Sequence, residues 1–243
     1  VGSEMCIRDR SMTETIDTVL IFAAGFGTRM LPLTATKPKP LILVSGKTLL
    51  DHSIDLAING HVNHIFINTH YLSKQIEKHL ETYKNVQIKF ESPHILDTGG
   101  GLKAISSNLK KSPIFTSNVD CIWKGCNPFK ILRQHWSAEK MDALLLLIPI
   151  KNSVGYSGRG DFKINDAGLV GRDTESSLVY SGIQIIKHEI CLDNKKKIFS
   201  LNEIWDTLIK KEKLYGVLYN GVWADVGTSE NIKLAEDIIN TKL

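Results

Sequence analysis

The stretch Leu20-Ile21-Phe22-Ala23-Ala24-Gly25-Phe26-Gly27-Thr28-Arg29-Met30 reads as an apolar strand that breaks into a glycine turn and then presents a cation. A second cation, Lys39, follows nine residues after Met30 and stands between two prolines. Gly25 and Gly27 have no side chains, so backbone N–H groups there can come close to a ligand. Thr28, Arg29 and Lys39 add a hydroxyl and two charges suited to phosphate oxygens. The pattern calls for a nucleoside triphosphate. A dinucleotide fingerprint is excluded because Met30 stands where its third glycine or alanine is needed, and a Walker loop ending at Gly46-Lys47-Thr48 fails because position 41 is Leu41.

The chain has 243 residues, 42% hydrophobic and 23% charged, which suits one domain with a sizeable core and therefore one site. Its formal charge of +4 is mild, and the longest basic run, Lys195-Lys196-Lys197, reads as a solvated loop. Nucleic-acid binding gains no support from either. No apolar stretch nears the roughly 18 residues needed to span a bilayer. The first ten residues, VGSEMCIRDR, carry no structural pattern and match the in-frame translation of a sequencing adapter; residues 1–11, Cys6 among them, are expected to be foreign, with Met12 the native start. That leaves Cys121, Cys126 and Cys191, which form no paired framework and point to a reducing cytoplasm. No cysteine or histidine cluster has the spacing of a zinc site, and the four tryptophans are expected in the core.

Apolar runs alternate with amphipathic stretches: strand Thr18–Phe22, helix Thr48–Asn59, strand His64–Ile67, helix Ser73–Tyr83, strand Val86–Phe90. A short helix after Gly101, strand Pro113–Ser117, helix Pro128–Trp136 and strand Ala143–Ile150 continue the series. Such alternation predicts a Rossmann-like doubly wound α/β fold, a mostly parallel sheet with helices on both faces. After Lys151 the pattern changes to hairpin-linked strands at Asp161–Asn165, Leu169–Gly171 and Val179–Ile186, a small substrate-facing insertion. Helix Leu201–Lys211, strand Leu214–Tyr219 and helix Ser229–Asn240 close the chain. Residues 12–243 are expected to form a single domain.

Ligands of open α/β sheets sit at the carboxyl ends of strands. Four segments qualify: Ala23–Arg29, Asp97–Gly101, Asn118-Val119-Asp120 and Trp223–Thr228. Here the chain resembles the nucleoside-diphosphate-sugar pyrophosphorylases, that is, the sugar-1-phosphate nucleotidyltransferases. The resemblance rests on A-A-G-x-G-T-R-M at Ala23–Met30, P-K-P-L at Pro38–Leu41 and W-x-D-V-G-T at Trp223–Thr228. Weaker marks are Gly99–Gly101, Gly158-Arg159-Gly160-Asp161-Phe162 and Tyr180-Ser181-Gly182-Ile183, which point to the branch that uridylylates N-acetylmuramate 1-phosphate in cell-wall recycling.

The resemblance implies that a sugar 1-phosphate oxygen attacks the α-phosphorus of a nucleoside triphosphate, UTP in that branch, and releases pyrophosphate. Arg29 would hold the leaving phosphates, and Lys39 would bridge the α-phosphate and the sugar phosphate. Ala23, Ala24, Gly25, Gly27, Thr28, Thr98, Gly99 and Gly100 would bind the nucleotide, and Gly160, Asp161, Ser181 and Gly182 the sugar; Asn68 is grouped with the sugar residues, with orientation of the nucleotide or a structural turn as its other readings. Asp120 and Asp225 would ligate Mg²⁺, although either aspartate alone reads as a turn or cap residue. The alternatives are mannose 1-phosphate guanylyl transfer, glucose 1-phosphate thymidylyl transfer and, from another class, a non-catalytic nucleotide or sugar-phosphate regulator. Retention of Arg29, Lys39, Asp120 and Asp225 together argues against the regulator. Leu31 stands where many relatives carry a second arginine, and Val119 where related chains place glycine. If that glycine served backbone geometry, the metal loop must be shaped differently here.

Overall fold

In the computed structural model, which describes residues 16–109, 113–172 and 177–241, the first apolar run becomes β1 (Thr18–Phe22). The expectations for residues 1–11, Cys6 and Met12 lie outside the described residues. A short hairpin follows, β2 (Leu43–Val44) and β3 (Lys47–Thr48). Thr48 then caps α1 (Leu49–Asn59), its hydroxyl accepting from the Asp51 N–H at 3.0 Å. Next come β4 (His64–Thr69), α2 (Ser73–Leu80), β5 (Val86–Phe90), α3 (Asp97–Ser106) and β6 (Ile114–Asn118). After β7 (Cys121–Lys124), Asn127 caps α4 (Pro128–His135), with proline in the first turn where no amide donor is needed.

The later elements are β8 (Ala143–Pro149), β9 (Ser153–Val154), β10 (Phe162–Ile164), β11 (Val170–Arg172) and β12 (Leu178–Ile186). They are followed by α5 (Leu201–Lys210), capped by Ser200, then β13 (Leu214–Leu218), β14 (Val222–Asp225) and α6 (Glu230–Asn240).

The main sheet runs β11-β10-β12-β6-β1-β4-β5, with β8 on the other flank of β12 and β13 beyond it. Strands β6, β1, β4 and β5 are mutually parallel, whereas β12 is antiparallel to both β6 and β8. Helices α1, α2 and α4 bury Leu50, Ile54, Ile76, Leu80, Phe129 and Leu132 on one face. Helices α3 and α5 bury Leu102, Ile105, Ile204 and Leu208 on the other. Strand β8 divides its side chains between the two cores, Leu144, Leu146 and Ile148 to one and Leu145 and Leu147 to the other, so its uninterrupted apolar run reflects burial on both faces. The doubly wound expectation therefore holds.

Two features differ from the sequence reading. Segments Cys121–Lys124 and Val222–Asp225, which read as loops in the sequence, are strands of a separate three-stranded sheet, β7-β14-β9, covered by α6. Both are too short to show a clear two-residue alternation. The other difference is α3, which begins at Asp97 and takes in Gly99, Gly100 and Gly101 as buried helical residues.

Their lack of side chains is a packing requirement. A Cβ at Gly99 would lie 2.4 Å from the Phe199 ring, one at Gly100 2.4 Å from the Lys197 carbonyl oxygen, and one at Gly101 2.9 Å from Glu91 Oε1. Alanine is ordinarily favoured over glycine within a helix by about 1 kcal/mol. Here the sign reverses, because the Lys197 contact is to backbone and cannot swing aside. Gly100→Ala is expected to destabilise by about 1–3 kcal/mol, read as a lower urea midpoint; an unchanged or higher midpoint would show that the 197–199 segment yields freely.

Candidate active site

Two cavities open side by side along the carboxyl ends of β1, β4 and β6. The first is lined by the turn after β1 (Ala23, Ala24, Gly25, Gly27, Thr28, Arg29), by Lys39 and Pro40, and by Asn68, Ile95, Thr98, Val119 and Gly227. The second takes in Tyr156, Asp161, Arg172, Tyr180, Asn202, Trp205, Trp223 and Asp225. Phe22, Arg29, Asp97, Thr98, Asn118 and Asp120 line both, so the cavities meet there.

The turn after β1 is built for close packing. Gly27 has φ 65°, a conformation that costs glycine little, and a Cβ there would stand 3.0 Å from both Lys39 Cβ and Thr34 Cγ2. The Thr34 hydroxyl donates to the Gly27 carbonyl at 2.8 Å and fastens the turn from below. At Gly25, by contrast, a Cβ would meet nothing in the protein. Lys39 follows the extended Pro38 and opens a short 3-10 turn with Pro40 and Leu41, so its backbone is held between two rings.

Lys39 is buried, and its Nζ lies 2.6 Å from Asp120 Oδ2. Asp120 and Asp225 are brought together by β7 and β14. Asp225 is paired with Cys121 across that ladder, and the Val226 N–H donates to the Asp120 carbonyl at 2.8 Å. The sequence reading puts Asp225 just beyond the strand Leu214–Tyr219 of the main sheet. It instead ends β14 in the smaller sheet, after a further turn through Gly221. A Cβ at Gly227 would stand 2.9 Å from Arg29 Nη1 and 3.0 Å from Asp225 Oδ1, so the guanidinium and the carboxylate flank that glycine. Burial first, then the facing Asp120 carboxylate, raises the Asp225 carboxyl above its ordinary value, while Lys39 and Arg29 pull it back. Burial, reinforced by both aspartates, pushes the Cys121 thiol well up, so Cys121 is a poor nucleophile despite its position.

The other sequence candidates fall into two groups. Ala23, Ala24, Thr28 and Thr98 line the first cavity, and Asp161 lines the second while its Oδ2 accepts from the Tyr180 N–H at 2.9 Å. Asn68, assigned to the sugar, instead underlies the first cavity.

Gly99, Gly100, Gly160, Ser181 and Gly182 line neither cavity. The Gly99 and Gly100 amides both donate to the Phe199 carbonyl, each at 3.0 Å, which uses the donors expected to meet the nucleotide. Gly160 (φ 96°) donates to the Tyr156 hydroxyl. Ser181 is fully buried, and its hydroxyl accepts from Ile183 N–H. Gly182, at φ 89° in the register shift of β12, leaves room for Asn118, 2.9 Å from where a Cβ would sit.

Sequence reasoning missed Tyr156 and Arg172 of the second cavity, and it includes Asp97 and Tyr180 only within longer segments, with no role for either; Asp97 lines both cavities in the left-handed conformation (φ 61°), and Tyr180 lines the second. None of these carries a spacing signal. Val119 raises no backbone difficulty: it is absent from the left-handed residues, and its side chain is buried.

This arrangement defines a class of protein: an α/β enzyme fold with cations and paired acids at a cleft of two adjoining cavities. The chain belongs to the family described as Nucleotidyl transferase, whose sequence model matches residues 18–241. It is 34% identical to N-acetylmuramate alpha-1-phosphate uridylyltransferase of Caulobacter vibrioides, over 93% of this chain and 98% of that one. To the mannose-1-phosphate guanyltransferase of Hypocrea jecorina it is 29% identical, over 86% of this chain and 60% of that longer one. Among solved structures, UDP-glucose pyrophosphorylase complexed with UDP-glucose superposes with a TM-score of 0.77 at 16% identity, covering 93% of this chain and 98% of the other. HddC from Yersinia pseudotuberculosis complexed with GMP-PN gives 0.74 at 20% identity, over 92% and 99%. Both share the fold.

Lys39 is the cation nearest the acid pair, and a cation favours the ionised form of a neighbouring carboxyl. Replacing it with alanine removes that support and should move the Asp225 titration midpoint further upward. Carboxyl ¹³C shifts followed against pH would show this, and a midpoint that stays put would mean that the Lys39 charge does not reach Asp225.

Proposed function

We propose that this chain transfers UMP from UTP to N-acetylmuramate 1-phosphate, giving the nucleotide sugar and pyrophosphate, with Mg²⁺ as the required ion. The observation that carries the proposal is the convergence of Arg29, Lys39, Asp120 and Asp225 where the two cavities meet. The choice of base and sugar follows the Caulobacter relative, which matches along nearly its whole length.

In this reading the triphosphate occupies the first cavity. The open space beside Gly25 accommodates it, since no protein atom excludes a side chain there. The sugar 1-phosphate enters the second cavity. One of its phosphate oxygens forms a bond to the α-phosphorus as the bond from that phosphorus to the oxygen it shares with the β-phosphate breaks; pyrophosphate leaves with that oxygen and the electron pair. The attacking oxygen is already ionised, so the site needs no general base. Its work is to align two anions and offset their repulsion. Arg29 holds the leaving phosphates, and Lys39 leaves Asp120 to bridge the α-phosphate and the sugar phosphate.

Asp120 and Asp225 suit a hard divalent cation, because they offer two oxygen donors whose mutual repulsion such an ion relieves. Among the described residues no cluster of three or more His, Cys, Asp or Glu could complete a cage, which fits an ion that takes its remaining ligands from phosphate and water. When bound, Mg²⁺ would neutralise charge on the phosphates as it redistributes. Among the described residues no helix is long and apolar enough to cross a membrane, and Cys121, Cys126 and Cys191 are free thiols; both accord with a cytoplasmic setting.

The decisive measurement is pyrophosphate release across a matrix of UTP, GTP and dTTP against N-acetylmuramate, mannose and glucose 1-phosphates. The expected maximum is UTP with N-acetylmuramate 1-phosphate. A maximum at GTP with mannose 1-phosphate would refute the uridylyl assignment, and nucleotide binding without turnover of any pair would favour a regulator.

Asp225→Asn should lower turnover by about a hundredfold or more and flatten its response to Mg²⁺, with the thermal midpoint of the folded chain maintained. A variant that stays active and magnesium-responsive would remove Asp225 from the site.

A further inference from the structure

Glu91 is 2% exposed, yet among the described residues no cation pairs with it. A buried carboxylate in that position needs hydrogen-bond donors in compensation. They come from a directional chain beneath the first cavity. The Ala23 N–H, in the turn after β1, donates to Asn68 Oδ1 at 2.8 Å. Asn68 Nδ2 donates to Glu91 Oε1 at 2.8 Å. The Leu96 N–H, immediately before α3, donates to Glu91 Oε2 at 2.7 Å.

Both ends of the chain are backbone donors and cannot be reversed. Ala23 therefore fixes the orientation of the Asn68 amide, and the amide fixes Glu91 as an acceptor on one oxygen. Leu96 requires acceptance on the other. A carboxylate accepts on both oxygens, whereas the amide of a glutamine would set one N–H against another. Gly101 completes the arrangement, because a Cβ there would stand 2.9 Å from Glu91 Oε1 and 3.0 Å from Asn68 Nδ2.

We infer that the Asn68–Glu91 pair is the positioning device of the nucleotide site: it sets the separation between the turn at Ala23 and the opposite wall at Leu96–Thr98. Neither residue lines the second cavity. The inference rests on the reading of the first cavity as the nucleoside triphosphate site, and it gives Asn68 a role distinct from sugar binding.

The polarity of the chain provides its own test. Glu91→Gln and Asn68→Asp each create one mismatched contact. The double variant Asn68→Asp with Glu91→Gln restores every bond. The carboxylate introduced at position 68 would accept from the Ala23 N–H and from the amide introduced at position 91, and the oxygen of that amide would accept from the Leu96 N–H. UTP affinity of the full chain is measured by calorimetry, and the KM for the sugar 1-phosphate by pyrophosphate release. Each single variant is expected to weaken UTP binding about ten- to hundredfold while the sugar-phosphate KM stays within about threefold of the parent. The double variant should recover at least about tenfold over either single.

Unchanged UTP affinity in Glu91→Gln overturns the inference, as does a double variant no better than the singles or an equal loss on both substrates. Should a single variant fail to fold, the double variant still decides: a folded double variant that binds UTP less than about a tenth as well as the parent overturns the inference. A parent chain that binds UTP, GTP and dTTP with no measurable affinity would instead overturn the nucleotide reading of the cavity itself, a result separable from failure of the pair alone.

Discussion

The pairing of β7 with β14 is the constraint on which the site depends. It brings Asp120 and Asp225, far apart in the chain, to the same end of one small sheet, and the Val226 N–H to Asp120 carbonyl bond closes that end. Two carboxylates so placed repel each other, and burial raises the cost. The arrangement persists because packing elsewhere supports it. Ile122 and Ala224 of the small sheet lie in a core shared with Met30, Ile42, Val44, Leu49 and Ala235. The turn that carries Arg29 and the strand that carries Asp225 are thus fixed against one another by a common apolar cluster. A stable scaffold holds like charges at close range, and the residual repulsion is available to a cation or to Lys39.

The main sheet is legible in the sequence because its strands and helices have clear periodicities. Strands β1 and β5 fall at the residues expected, and the remaining long elements, α3 apart, agree within a few positions. The boundaries of α1 and α5 are marked by Thr48 and Ser200, which cap them. The turn after β1 is legible for a different reason: two glycines and a cation in one short segment, with a second cation ten residues on, are local chemistry. What the sequence conceals is everything that depends on contact between distant segments. Strands β7 and β14 are each 4 residues long and acquire meaning only as partners. Asp97, Tyr156, Arg172 and Tyr180 come from four separate segments and line the second cavity together only once the chain is folded.

The triple glycine shows how a correct observation can lead to a wrong role. Missing side chains at Gly99–Gly101 do permit a close approach, but the approaching groups are Phe199, Lys197 and the Glu91–Asn68 pair. A Gly-rich helix start next to a phosphate loop has the composition of an anion site, yet its first amides already donate to the Phe199 carbonyl. At Gly25 the opposite holds, since nothing in the protein occupies the space a side chain would take. The distinction between a glycine kept bare for protein and one kept bare for ligand becomes visible only in three dimensions.

These observations bear on why the cleft is divided as it is. Of the residues that belong to both cavities, Arg29, Asp97 and Asp120 carry charge. The walls away from this junction differ in kind. The first cavity is formed by backbone and small residues of one turn, suited to a ligand that presents repeated phosphate oxygens. The second is ringed by Tyr156, Tyr180, Trp205 and Trp223 with Asp161, Arg172 and Asn202 interspersed, suited to a ring with an apolar face and several hydroxyls. Transfer between two such ligands needs their phosphates to meet where the charges are, and the shared residues define that place. In the proposed reaction the chemistry would ask little of any single side chain, because an already ionised oxygen would attack a phosphorus whose leaving group the cations would hold. It asks a great deal of the distance between the two walls, which is why the buried contacts beneath the turn matter as much as the charged residues above it.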